Sequence, residues 1–278
     1  MSAQPLTYVV MLNWNGKFVT LEGLGSLSAV GYPNLKILLV DNGSLDGSAE
    51  AVKQAFPRVE VLAMETNIGF ARGNNVGIRH ALAQGAEQIM LLNNDTTIDP
   101  DAVGIMTRVL QSSGDIGIVS PKILYYARPN HIWYAGGKVS FWTGTIRHLG
   151  IREEDDGRFE NSGETEYATG CCLLTKRSVL ETVGFLDETY YMYTEDADWS
   201  LRVRRAGYRI VFEPRARVWH KVSADVGGHL SRYKLTNKFR SNFRFFARYA
   251  SWYHWLTFPW LNVLANAVAA VRYVLQRG

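Results

Sequence analysis

The sequence has only two cysteines, Cys171 and Cys172, and they are neighbours. Adjacent residues rarely pair with one another, and two thiols cannot staple 278 residues. A disulfide scaffold is therefore excluded, and a reducing compartment fits best. Proline is scarce, 8 residues against 25 glycines, which excludes a Pro-rich linker and suits a fold with many tight turns. The N-terminal MSAQPLTYVVMLNW lacks a basic stretch and a long apolar run. No signal peptide is expected, and the body of the chain is expected in the cytoplasm. Neither GxGxxG nor GxxxxGK[ST], the two standard glycine-rich phosphate cradles, occurs anywhere. Internal repeats and low-complexity tracts are also lacking.

What is present is a globular composition, 47% hydrophobic and 20% charged. The length suffices for a buried core in one large domain or two small ones. Charge is uneven: residues 1–220 hold 21 Lys+Arg and 25 Asp+Glu, whereas residues 221–278 hold 9 and 1. A basic tail on a mildly acidic body points to an anionic partner, nucleic acid or a membrane surface.

Apolar runs alternate with helical spacing through the first half. Thr7–Leu12, Leu35–Val40, Val59–Met64 and Gln88–Leu92 read as strands. Residues 17–30, Asp46–Phe56 and Asn74–Gln84 read as helices between them. Such alternation predicts an α/β open sheet, and runs without polar alternation predict strands covered on both faces. Residues 131–149 suggest hairpins, and the acidic stretch 152–166 a mobile loop. Helices are expected at about 176–182 and at Asp196–Ala206, followed by a short strand at Arg209–Phe212.

Carboxylates fall where strands end, the place where open α/β sheets bind ligands. The second strand delivers Asp41, and the fourth delivers Asn93-Asn94-Asp95. An Asp there can accept hydrogen bonds from a base or ribose, or hold a divalent metal. It can equally serve as a turn residue. A Gly/Asn-rich segment at residues 67–77 precedes a helix and lets backbone approach a ligand. Glu195-Asp196, after the aromatic run Tyr190-Tyr191-Met192-Tyr193, either satisfies a helix dipole or forms a base in a partly apolar rim. His220 is either structural or a metal ligand.

Together these strings resemble an inverting nucleotide-sugar glycosyltransferase of family 2. They are VVMLNWNG (9–16), LLVDNGSLDGS (38–48), NIGFARGNNVGI (67–78), LLNNDTTIDP (91–100) and GCCLLTKRSVLETVGFLDETYYMYTEDADWSLRVRRAGYRIVFEPRARVWH (170–220). Within that family the chain is similar to bacterial rhamnosyltransferases of O-antigen and cell-wall polysaccharide. The resemblance implies a GT-A fold, Rossmann-like with a mostly parallel central sheet, over residues 1–220. It implies that Asp41 meets the donor's base or ribose with Asn13 and Asn15 nearby, and that Gly69, Arg72 and Asn75 lie along the nucleotide. Asn93-Asn94-Asp95 takes the place of the family's Asp-x-Asp motif, with Asn93 in the first Asp's position. Asp95 is then the main ligand of Mg²⁺ or Mn²⁺, Asn94 lies by the donor, and His220 is a further metal or diphosphate ligand. Glu195 and Asp196 match the family's acidic pair, with Asp196 the expected base. The implied donor is a dTDP- or UDP-sugar, with dTDP-L-rhamnose favoured, and the implied acceptor a glycan or lipid-linked glycan.

Residues 221–278 lie outside the resemblance. Leu230–Tyr249 reads as a helix interleaving Arg232, Lys234, Lys238, Arg240, Arg244 and Arg248 with aromatics. No Asp, Glu, Lys or Arg follows until Arg272. Pro259, Asn262, Asn266 and His254 argue against a membrane span, and Trp252, Trp255 and Trp260 suit the headgroup level. We therefore expect an anionic membrane surface as partner, not nucleic acid, with a homodimer as the other use of this helix. A sugar-1-phosphate nucleotidyltransferase would need a basic glycine-rich loop that VVMLNWNGK lacks. A non-catalytic nucleotide- or membrane-binding scaffold would leave Asp196 dispensable.

Overall fold

A computed structural model describes residues 4–222 and 232–258, with 260, 261 and 264. The first half alternates as read: β1 (Thr7–Asn13), α1 (Lys17–Leu27), β2 (Leu35–Asp41), α2 (Ser48–Ala55), β3 (Glu60–Ala63), α3 (Phe70–Ala83) and β4 (Gln88–Asn93). Then come β5 (Thr96–Ile98), α4 (Ala102–Gln111), β6 (Ile116–Tyr125), β7 (Arg128–Tyr134) and the hairpin β8 (Gly137–Ser140) with β9 (Thr145–His148). β10 (Gly163–Glu164), β11 (Cys172–Lys176), α5 (Arg177–Val183), α6 (Glu195–Arg205), β12 (Arg209–His220) and α7 (Arg232–Tyr249) complete the described chain.

The main sheet runs β10-β12-β6-β11-β4-β1-β2-β3, with β5 on β12 and β7 on β6. Its β3-β2-β1-β4 half is parallel. β11 then enters antiparallel to both β4 and β6, while β12 lies parallel to β6. The sheet is thus mixed, where a mostly parallel one was expected. The antiparallel entry of β11 follows from the stretch between β6 and β11, which returns the chain without a crossover helix.

Strand periodicity splits the core in two. Val9, Met11, Leu39, Met90 and Leu92 face α1 and α4, and Tyr8, Val10, Leu38, Val40 and Leu91 face α3, α5 and α6. Both faces are covered, as largely apolar strands require.

Three readings change. Helix α3 starts at Phe70, four residues before its expected start. Its glycines serve packing: a Cβ on Gly73 or Gly77 would lie 2.6 Å from Leu12 or 2.4 Å from Val10, so bare backbone lets the helix settle on β1. Strand β12 has 12 residues because charges that hid it are accommodated along its length. Glu213 is buried but accepts 2.7 Å and 2.9 Å bonds from Arg215. The acidic stretch 152–166, expected to be mobile, is tied down. Asp155 accepts a 2.9 Å bond from Lys122, which is fully buried on β6, and Glu160 also pairs with that ammonium.

The C-terminal helix does not stand apart from the body. Phe245 and Phe246 of α7 are fully buried in a third core cluster with Tyr167, Tyr190 and Ala197.

Candidate active site

Parallel register brings the ends of β1, β2 and β4 together: Asn13 lies opposite Asp41, and Leu12 opposite Asn93. Asn13 is fully buried and is the hub of this edge. Its amide donates to Asp41 Oδ1 at 2.8 Å and to Ser44 Oγ at 3.1 Å. Its Oδ1 accepts from Asn94 Nδ2 at 2.9 Å and Thr20 Oγ1 at 2.9 Å. Asn15 adopts φ +52°, a conformation Asn tolerates, and its Oδ1 accepts from Leu45 N at 2.8 Å. The loops after β1 and β2 are therefore one network. Thr20, Asn42 and Ser44 belong to it but were not singled out from the sequence. Asn42 Oδ1 accepts from Ile68 N at 3.0 Å, tying the Gly69 loop to the end of β2.

Gly69 has φ +91°, and a Cβ there would lie 2.8 Å from the Tyr191 ring. That position requires glycine. Arg72 and Asn75 sit on α3, Arg72 in the part that precedes the expected helix start. Arg72 is largely exposed, with Nε 3.7 Å from Glu188. The buried Asn75 amide is engaged with the 186–188 loop. It donates to Leu186 O at 2.8 Å and Glu188 at 3.0 Å, and accepts from Leu186 N at 3.1 Å.

Asp95 and His220 meet across strands far apart in sequence. His220 ends β12 and pairs in register with Thr96 of β5. Its Nε2 lies 3.1 Å from Asp95 Oδ1, and Lys221 N donates to Asp95 O at 2.9 Å. His220 Nδ1 has no hydrogen-bond partner among the described residues. Trp133 stands edge-on to the imidazole, 4.5 Å between centroids. Among the described residues no group of three or more His, Cys, Asp or Glu side chains is placed to hold a metal.

The acidic pair opens α6. Asp196 Oδ2 accepts from Gly170 N at 2.9 Å, and Oδ1 from Ala197 N at 2.8 Å. Gly170 leads into Cys171, whose carbonyl accepts from Asn93 N at 2.9 Å. The carboxylates at 95 and 196 thus flank Cys171, and burial together with both charges pushes its thiol well above the usual range. Burial raises Asp196 despite its backbone hydrogen bonds. Burial, then repulsion by Asp196, pushes Glu195 up further. Glu195 is therefore the member that holds a proton, and Asp196, with two N–H donors, is the one that ionises. Asp198 is committed elsewhere, to Arg202 at 2.9 Å and Tyr249 at 2.7 Å.

A surface cavity of about 590 Å³ lined by Arg108, Arg209, Glu213 and Arg215 does not reach these groups. It lies toward the start of β12, whereas His220 is at its end.

The glycosyl transferase family 2 model matches residues 8–184. The chain belongs to that family. It is 28% identical over 255 residues to the N-acetylglucosaminyl-diphospho-decaprenol L-rhamnosyltransferase of Mycobacterium tuberculosis, covering 83% of this chain and 80% of the relative. It is 28% identical to a low-salt glycan biosynthesis hexosyltransferase of Haloferax volcanii, over 64% of this chain and 56% of that one. A mannosyltransferase from Pyrobaculum calidifontis, solved with GDP-Man and Mn²⁺, superposes with TM-score 0.68 at 19% identity, over 98% of this chain and 76% of its own. At that identity the likeness concerns the fold, and it agrees with the GT-A architecture that the sequence resemblance implied. The protein is a sugar-transferring glycosyltransferase of the GT-A type.

Proposed function

We propose that this family 2 glycosyltransferase transfers L-rhamnose, from dTDP-L-rhamnose, to a hydroxyl of a lipid-linked glycan with inversion at the anomeric carbon. The observation that carries the reading is the convergence at one sheet edge. The Asn13–Asp41–Asn94 network, the Asp95–His220 pair and Asp196 all surround the ends of β1, β4 and β11. The choice of rhamnose draws on the mycobacterial relative, and a UDP-sugar is the competing donor.

Asp41, held by Asn13 and Ser44, would take the donor's base or ribose, with Asn15, Gly69 and Arg72 around the nucleotide. Asn75 would act by positioning the 186–188 loop. Asp95 and His220, one carboxylate and one imidazole, fit a divalent cation in type and would hold it together with the donor. Mg²⁺ or Mn²⁺ held there would neutralise charge on the leaving diphosphate. Asp196 accepts the acceptor hydroxyl's proton as that oxygen bonds to the anomeric carbon and the bond to diphosphate breaks. Glu195, protonated, keeps a second negative charge away from the base.

We place the enzyme on the cytoplasmic face of the membrane. Of the six basic residues expected to face lipid, Arg244 and Arg248 bind Thr189 O and Asp187 of the body. Lys238 and Arg240 are exposed, and the side chains of Arg232 and Lys234 lie outside the described residues. Trp252 and Trp260 are 76% and 77% exposed beside exposed Leu256 and Leu264. Exposed tryptophans and exposed cations on the same C-terminal segment suit an anionic headgroup layer. Among the described residues no helix is long and apolar enough to cross a membrane.

Turnover of a panel of dTDP-, UDP- and GDP-sugars on a polyprenyl-diphosphate-linked acceptor, with and without EDTA, tests the proposal. Transfer from dTDP-L-rhamnose giving the inverted anomer supports it. Selective use of another donor overturns the sugar, and retention of configuration overturns the mechanism.

A further inference from the structure

Two successive non-glycine residues, Tyr193 and Thr194, have φ +70° immediately before the acidic pair. Side chains disfavour this left-handed backbone, so it persists only where its surroundings impose it. No side-chain cap from Thr194 holds the start of α6. The turn is instead held from outside, by α7. Ser241 Oγ donates to Met192 O at 2.9 Å, and Thr194 Oγ1 donates to Asn242 Oδ1 at 2.7 Å. Adjacent residues of one helix thus grip both ends of the three-residue turn. The helix is itself anchored on either side of the grip. Phe245 and Phe246 are buried beside Tyr190 and Ala197, and Tyr249 OH donates to Asp198 Oδ1 at 2.7 Å.

We propose that α7 is a positioning element of the active site, holding the Met192–Thr194 turn in the left-handed conformation from which Glu195 and Asp196 are presented. The proposal rests on Asp196 being the base. Asp196 lies two residues beyond Thr194, and its carboxylate must meet Gly170 N while facing the acceptor. Release of the turn swings the first turn of α6 and with it this carboxylate. The Asn13–Asp41–Asn94 network is held at the ends of β1, β2 and β4, away from the turn, whereas the Gly69 loop touches it through Tyr191.

The test uses the full-length enzyme and the isosteric pair Thr194→Val and Thr194→Ser. Valine keeps the β-branch and removes the hydroxyl, whereas serine keeps the hydroxyl. Displacements near 1 Å cost up to about 100-fold in rate, so Thr194→Val is expected to lower kcat by about 10- to 100-fold, with a smaller change in donor KM. Thr194→Ser should restore kcat, and Ser241→Ala should lower it independently if the valine variant does not fold. In the Asp196→Asn background Thr194→Val should cost nothing further, since both act through one group. Wild-type kcat in Thr194→Val beside an inactive Asp196→Asn refutes the clamp alone. Losses that add across the double variant also refute it. Normal turnover in Asp196→Asn refutes the base assignment, whatever Thr194→Val does.

Discussion

Replacing Asp196 by Asn tests the chemistry most directly, and the structure shows that the change is not silent. The carboxylate uses one oxygen for Gly170 N and the other for Ala197 N. An amide has one oxygen, so its NH₂ must face one of these N–H donors. Leaving a buried donor unmatched costs about 1–3 kcal/mol, a loss that a domain stable by about 5–15 kcal/mol survives. Loss of a positioned base costs about 10²–10⁴ in rate, equivalent to about 2.7–5.4 kcal/mol on the barrier. The two effects separate experimentally. Thermal unfolding reads the first, and kcat at saturating donor, with donor affinity from calorimetry, reads the second. In wild-type enzyme kcat should fall with decreasing pH at a point above the ordinary Asp range of about 3.9, because burial raises the base. That acidic limb should vanish in the variant. If folded Asp196→Asn binds donor and keeps a tenth or more of wild-type kcat, the base assignment is wrong. Asp198, bound to Arg202 and Tyr249, could not take its place.

Asp95→Ala should reduce turnover by orders of magnitude, and EDTA should abolish it in the wild type; full turnover in EDTA removes the metal from the mechanism. Glu195→Gln tests linkage through stability. Burial holds the Glu195 pKa above its unfolded value, so the native state binds that proton more tightly, and stability is lost as pH rises through the interval between the two. The variant should therefore unfold at higher temperature than wild type at pH 8, with the difference shrinking toward pH 4; an equal difference at both values contradicts the assignment. Trp252→Ser with Trp260→Ser should abolish sedimentation with anionic vesicles, and Lys238→Gln with Arg240→Gln should weaken it by about 1 kcal/mol per charge at low salt. Vesicle binding untouched by either pair refutes the membrane surface. Truncation after His220 is a poor substitute, because it also uncovers the pocket of Phe245 and Phe246.

The parallel half of the sheet was legible because its strands are largely apolar runs, most of them ending in polar clusters. Asp41 and Asp95 stood out for the same reason: a buried strand delivered each. β6 was hidden by Pro121 and Lys122 in its middle. No local pattern announces that a lysine will be buried on carboxylates more than thirty residues away. The glycines around Asn75 read two ways in the sequence, because helix packing uses glycine as readily as ligand approach does. The grip of α7 on residues 192–194 was invisible for a plainer reason. Positive φ at Tyr193 and Thr194 is a property of backbone, and its partners lie 48 and 49 residues along the chain.

The placement of Cys171 and Cys172 gives the enzyme a built-in gauge. Both thiols are buried, and burial keeps each protonated, with neighbouring carboxylate charge adding to the effect at Cys171. A protonated, covered thiol is inert to alkylating reagents. Labelling must therefore wait until β11 parts from β4 and β6. The Cys171 carbonyl holds Asn93 N at the strand edge that leads to Asp95. Its alkylation rate consequently times the opening of that strand edge, and a ligand that binds only the closed native state should slow it.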